Sequence, residues 1–288
     1  MRRPLRFAAA FAFLCAFCAA AQERVAARSK DGVPLSVLKT GSGPALLLVH
    51  GSAAAGSSTW QAVLPALSRR FTVYVMDRRG RGLSGDGKSY SVAAEADDIA
   101  AVAAKIGEPL TLVAHSYGAL CAVAAMDRLK GVTRLILYEP PILPQAPGPE
   151  FAGVLQALDR ALQNNDRDLV ATIFLRDAVG VPPAALEQMR SSPGWQGTVE
   201  TAPTLPREAR AVGAFRMPVE RMRNWKAPTT MLAGDRTGGY LEAAAPAVCG
   251  AIPGCRLVTL EGQGHVAMLT APDLFVSKVV EAAGARGP

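Results

Sequence analysis

Among the residues able to do covalent chemistry, Ser116 has the most telling surroundings. It sits at the centre of Ala114-His115-Ser116-Tyr117-Gly118, directly after the apolar run Pro109 to Val113 and directly before Ala119 to Met126. A strand that runs into a helix through one turn of small residues lifts the serine oxygen clear of the sheet edge. It also leaves the next amide, that of Tyr117, free to donate to an oxyanion. The serine opens a helix, whose amino end favours developing negative charge. That combination suits acyl transfer. Ala114 stands where such turns more often carry a first glycine, and a serine between small residues also serves as a plain turn or helix cap, so the motif needs partners.

A nucleophilic serine needs a base, and the chain holds three histidines. His50 ends an apolar run beside Gly51-Ser52-Ala53, a loop able to supply a second oxyanion amide from Ser52, and a structural role is expected for it. His115 adjoins Ser116 on the turn, where its side chain diverges from that of the serine. His265 lies in Gly262-Gln263-Gly264-His265-Val266, a loop after the last expected strand from which an imidazole can swing over the strand ends. It is the expected general base, because proton transfer needs a histidine within hydrogen-bond reach.

The elements that position these residues follow from hydrophobic period and length. Strands are expected at Val25 to Arg28, Leu35 to Leu38, Ala45 to Val49, Phe71 to Met76, Pro109 to Val113, Thr133 to Tyr138, Thr229 to Leu232 and Arg256 to Leu260. Helical spacing occupies Thr59 to Ser68, Val92 to Ile106, Tyr117 to Leu129, Leu241 to Val248 and Pro272 to Ala283. Strands separated by helices imply right-handed crossovers, hence an α/β fold with a mostly parallel, doubly wound sheet of about eight strands covered on both faces. The alternation breaks after Glu139-Pro140-Pro141. From there the sequence is helical and interrupted by prolines, so a helical lid is expected at 141–226, inserted after the sixth strand, with the core divided into 22–140 and 227–288.

Composition narrows the class. The first residues have the form of an export signal: Arg2, Arg3 and Arg6, then apolar Phe7 to Phe17, then Ala19-Ala20-Ala21 before Gln22. The apolar stretch is short for a bilayer span, so 1–21 is expected to be removed and the mature protein to be periplasmic or secreted without a membrane span. The formal net charge of +7 is lowered once this basic segment leaves. The remaining Lys and Arg form no stripe interleaved with aromatics, so nucleic acid is not an expected partner. Cys121, Cys249 and Cys255 are too few for a disulfide scaffold and lack the spacing of a zinc site. Export allows a Cys249–Cys255 bridge, and two unpaired thiols are equally consistent with the sequence.

With elbow serine, later acid and still later histidine in that order, the chain resembles the α/β-hydrolase fold family. The resemblance covers nearly the whole mature sequence. It includes Leu46-Leu47-Leu48-Val49-His50-Gly51, the segment Asp77-Arg78-Arg79-Gly80-Arg81-Gly82-Leu83-Ser84-Gly85, which the family uses as a structural turn, and Gly262-Gln263-Gly264-His265. The acid departs from the usual pattern. Family members commonly place Asp three residues after the glycine that ends the strand before the final helix-strand pair; here that glycine is Gly234 and the position holds Thr237. Asp235 is close to it. A second acid position used in the family, at the end of the strand after the nucleophile helix, holds Glu139. Either can orient His265, with Glu139 preferred.

The resemblance implies that Ser116 attacks a carbonyl, His265 moves its proton, the acid fixes the imidazole, and the Tyr117 and Ser52 amides hold the oxyanion. It implies neither metal nor organic cofactor. The expected activity is hydrolysis of an ester or similar small acyl compound by an exported serine hydrolase. Carbon-carbon bond hydrolysis or cofactor-free peroxidase chemistry on the same residues, or a non-catalytic ligand-binding homologue, are the alternatives. Phe151, Leu155, Phe174, Leu175 and Trp195 of the lid are candidate pocket residues, although helical spacing more often marks packing. Oligomeric state is open.

Overall fold

The computed structural model describes residues 22–107, 109–143 and 145–284. The leader expected at 1–21 lies outside the described residues. Eight strands form one sheet: β1 (Glu23–Arg28), β2 (Pro34–Thr40), β3 (Ala45–Val49), β4 (Thr72–Met76), β5 (Leu110–His115), β6 (Val132–Tyr138), β7 (Thr229–Gly234) and β8 (Arg256–Leu260). Their spatial order is β1-β2-β4-β3-β5-β6-β7-β8. β1 and β2 pair antiparallel, as do β2 and β4, and every other neighbouring pair is parallel. The expected mostly parallel sheet is therefore present, with its antiparallel part at one edge.

The central strands are apolar throughout because both faces are covered. In β3 the period of two sends Ala45, Leu47 and Val49 into one core and Leu46 and Leu48 into the other. The first core packs under the helices Val92–Ile106, Tyr117–Ala124 and Gly239–Gly250, and the second under Pro272–Ala282 and the short helices near Trp60. Helix Val92–Ile106 begins where Ser91 accepts from the Ala94 amide at 3.1 Å and ends at Gly107, whose φ of 72° terminates the helix in a left-handed turn.

Two helices are shorter than their periodicity predicts. The stretch expected as one helix over Thr59 to Ser68 is split into Gly56–Trp60 and Leu64–Leu67, with Pro65 in the first turn of the second piece. Proline has no amide to continue the first ladder and fits a helix only at its start. The helix after Ser116 stops at Ala124 rather than Leu129, because the following amides switch to shorter bonds, such as Met126 to the Val123 carbonyl and Arg128 to the Ala125 carbonyl.

Between β6 and β7 the chain is helical, from Pro149–Gln163 to Val219–Asn224, as the sequence predicts for the lid. Leu158, Val170, Phe174, Leu186 and Leu205 form a small core of its own. A π-helical turn, Phe174–Val179, follows helix Arg167–Ile173 directly and closes at Gly180. Cys249 and Cys255 form a disulfide joining the end of helix Gly239–Gly250 to the approach to β8, which resolves the question the sequence leaves open. Cys121 is a buried free thiol. Among the described residues no helix is long and apolar enough to cross a membrane.

Candidate active site

Ser116 leaves β5 with φ 52° and ψ −124°, a conformation that a non-glycine residue adopts only under constraint. The constraint comes from both sides. Its amide donates to the Tyr138 carbonyl at 2.8 Å, and its own carbonyl accepts from Ala119 at 2.8 Å to start the helix. Gly118 must lack a side chain, because a Cβ there would stand 2.4 Å from the His50 carbonyl oxygen. Ala114, in place of the more usual glycine, is fully buried and fits beneath the turn. Two more of the four non-glycine residues with positive φ among those described lie at this site, Ala53 at 55° and Glu139 at 46°. Strain of about 1–3 kcal/mol at each such residue persists only where the surroundings fix it.

Glu139 follows β6 directly and is fully buried. Its Oε2 lies 2.6 Å from His265 Nδ1, while Oε1 accepts from the Gly234 amide at 2.7 Å and from the Thr237 hydroxyl at 2.5 Å. Thr237 thus stands at the position where the family more often has the acid, and there it donates to the carboxylate supplied by β6. Asp235 lies on the exposed side of the same loop. Of the two candidate acids, the structure brings Glu139, not Asp235, to His265.

The loop carrying His265 is held from below by two residues whose roles were not evident in the sequence. His115 donates from Nε2 to the His265 carbonyl at 2.8 Å, and the Tyr138 hydroxyl donates to the Gly264 carbonyl while accepting from the Ala267 amide at 3.1 Å. His115 and Tyr138 are register partners across β5 and β6. Each is the last residue of its strand and immediately precedes a member of the site. Their clamping could have been suspected only from the occurrence of a buried-type polar aromatic next to each candidate site residue.

His50 is structural, as expected: Nδ1 donates to the Gly51 carbonyl at 2.8 Å and Nε2 accepts from the Arg78 amide at 3.1 Å. Burial holds both His50 and His115 well below the usual histidine pKa, with Arg78 adding to the effect at His50 and His265 at His115. In the unfolded chain both take up a proton near pH 6.5, so below that pH the unfolded state binds more protons than the native one. Their contribution to stability is complete above about pH 6.5 and is lost as pH falls through the depressed native values. Calorimetry should therefore show Tm declining between pH 7 and pH 5, before most carboxylates titrate, and His115→Gln should reduce that slope. A Tm flat over this range would contradict the burial of two neutral imidazoles.

Ser52, Ser116, Tyr117 and His265 line one narrow cleft. Phe151 and Phe174 from the lid complete it, with Tyr240 from the helix after β7. The other three lid candidates do not reach it. Leu155 and Leu175 pack in the lid's own core, and Trp195 donates from Nε1 to Asp168 at 2.6 Å beneath the Arg190 guanidinium, so helical spacing there marks packing. Among the described residues no Lys or Arg lines this cleft or the wider one that adjoins it past Phe151, Ala178 and Tyr240. Among the described residues no cluster of three or more His, Cys, Asp or Glu could hold a metal.

Beneath the cleft the segment Asp77–Gly85 is tied by buried charges, as expected of a structural turn. Arg79 pairs with Asp98 at 2.6 Å and with Asp31 at 2.9 Å, and Arg78 pairs with Glu95 at 2.6 Å. Asp77 accepts from the amides of Gly56 and Leu83.

Comparison with known proteins agrees with this architecture. The model of the alpha/beta hydrolase family matches residues 46–278. An alpha/beta hydrolase of solved structure from Sphaerobacter thermophilus is 33% identical and superimposes with a TM-score of 0.78 over 90% of this chain and 99% of that one. An esterase from Rhodococcus shares the fold at 23% identity, with a TM-score of 0.71 over 92% of this chain and 99% of its own. In sequence, N-formylmaleamate deformylase from Pseudomonas putida is 42% identical over 119 residues, 40% of this chain and 44% of that protein. The similarity thus spans less than half the length of that curated relative. Family match, strand order and the serine on its strained turn lead to one conclusion: the chain belongs to the alpha/beta hydrolase family.

Proposed function

We propose that the protein is an exported serine hydrolase acting on esters of small, uncharged acyl groups. The observation that carries this reading is the 2.6 Å contact between His265 Nδ1 and the buried Glu139 carboxylate, in a cleft that Ser116 also lines. Glu139 holds the Nδ1–H tautomer, so Nε2 is free to take the Ser116 proton as its oxygen attacks the substrate carbonyl. The amides of Tyr117 and Ser52 receive the oxyanion, and the imidazolium returns the proton to the departing alcohol. Water then repeats the sequence on the acyl-enzyme and releases the acid.

Restriction to uncharged acyl groups rests on the lining. A carboxylate drawn into a cleft of Phe151, Phe174, Val179 and Leu241 loses its hydration and meets no Lys or Arg among the residues described. The names of two sequence relatives, N-formylmaleamate deformylase and 2-(acetamidomethylene)succinate hydrolase, denote acidic compounds; this cleft suits their neutral counterparts. Export is supported by the Cys249–Cys255 bridge, a feature of oxidising compartments. Mass spectrometry of secreted protein beginning near Gln22 would agree with it.

A fluorophosphonate probe followed by peptide mapping tests the core of the proposal, and the modified residue is expected to be Ser116. With 4-nitrophenyl butyrate and 4-nitrophenyl hemisuccinate as a matched pair, kcat/KM should favour the butyrate by at least about tenfold, in keeping with an unpaired charge losing hydration. Folded protein left unlabelled would sink the serine hydrolase reading. Preference for the hemisuccinate would sink the uncharged-substrate reading alone.

A further inference from the structure

Glu208 lies in the lid helix Leu205–Ala214, yet its carboxylate is buried in the core domain's charge network rather than in the lid. Oε1 accepts from Arg78 Nη2 at 2.7 Å and from Arg81 Nη2 at 2.8 Å. Among the described residues Arg81 finds no acceptor for its buried Nε and Nη1, so Glu208 is the carboxylate that compensates it. The same Arg78 donates from Nη1 to the Gly51 carbonyl at 2.9 Å, and its backbone amide donates to His50. It therefore grips the loop whose next amide is that of Ser52.

Arg78 also reaches the second oxyanion residue. Its guanidinium lies 4.6 Å from the Tyr117 ring centroid, and the Tyr117 hydroxyl is hydrogen-bonded to Tyr90, which donates to Glu95, the other acid of Arg78. Burial alone would raise the Glu208 pKa, but Arg78, Arg81 and the facing Ser52 hydroxyl more than offset it and bring it down to about 2. Two buried arginines and two buried glutamates balance only when the lid contributes its share. Removing one partner of such a network leaves an uncompensated buried charge, which reorganises its neighbours.

We propose that Glu208 is a positioning residue that couples the lid to the oxyanion loop: its carboxylate closes the Arg78–Arg81 pair beneath Gly51-Ser52, so that docking of the lid and alignment of the Ser52 amide are one event. The inference rests on the serine hydrolase reading above. It predicts a defect in stabilising the transition state, not in binding substrate, because Glu208 is absent from the residues lining the cleft.

The experiment compares wild type, Glu208→Gln and Glu208→Asp on 4-nitrophenyl butyrate, at a temperature well below each Tm, together with inhibition by butaneboronic acid, which forms a tetrahedral adduct on serine. Glu208→Gln should lower kcat by about 10- to 100-fold with KM within threefold, the range between weakening and losing one oxyanion donor. Boronate affinity should fall in parallel. Glu208→Asp keeps the charge but is one methylene too short to bring an oxygen to the point where both arginines donate, so it should show a smaller loss of the same kind and supplies the test if the glutamine variant does not fold. An unchanged kcat in the aspartate variant, a raised KM with kcat intact, or activity lost with boronate affinity retained would each overturn the coupling. If wild type itself neither turns over the ester nor binds the boronate, the serine hydrolase reading fails, and the coupling drawn from it falls too.

Discussion

Glu139→Gln should cut kcat on an activated ester by about 10³- to 10⁴-fold while leaving the fold intact, the scale seen when a triad acid becomes an amide. The reason lies in what the two oxygens accept. Oε1 receives Gly234 N–H and the Thr237 hydroxyl, and Oε2 faces His265 Nδ1, so all three neighbours are donors toward a carboxylate. An amide nitrogen placed at the Oε1 position would confront two donors at once. The glutamine must therefore turn its NH₂ to His265, where it donates into Nδ1 and forces the proton onto Nε2. In that tautomer the ring can no longer accept from Ser116. Asp235→Asn, changing an exposed side chain, should leave kcat within about twofold, since surface changes away from such features are small. Purified variants assayed side by side decide it, and the opposite ranking would remove Glu139 from the proposed mechanism.

Ser116→Ala should remove nearly all turnover, by roughly 10⁶-fold, and His265→Ala by a similar factor. The stronger expectation concerns their combination. If the two act as one unit, the double variant is no slower than either single one, because each deletion already abolishes the step that both serve. Losses that multiply would mean that serine and histidine act independently. The residual rate, set by the oxyanion amides and the cleft alone, should be the same in all three proteins, and single-turnover assays at high enzyme concentration can measure it.

Much of this arrangement was legible because local patterns and long-range demands agree. The all-apolar strands, the small residues around Ser116 and the glycines flanking His265 each require one kind of surrounding, and the sheet provides it. The lid was legible as helical from its proline-broken spacing, but which faces meet the cleft was not. Phe151 and Phe174 reach it, whereas Leu155, Leu175 and Trp195 have the same character in sequence and pack elsewhere. Glu139 and Asp235 could not be separated by spacing alone, since the choice depends on a loop from β7 folding so that Thr237 meets β6. Glu208 gave no local sign at all. Its partners Arg78 and Arg81 are about 130 positions away, and only the docked lid reveals that its charge belongs to the core.

The pairing of His115 with Tyr138 has a practical consequence for anyone moving this chemistry to another scaffold. Because each clamp ends its strand and immediately precedes a residue of the proposed site, the transferable units are two dipeptides, His115-Ser116 and Tyr138-Glu139, set side by side at the ends of neighbouring parallel strands. Grafting the serine and the glutamate alone would carry over the reactive groups without the two hydrogen bonds that hold the histidine loop in reach of them.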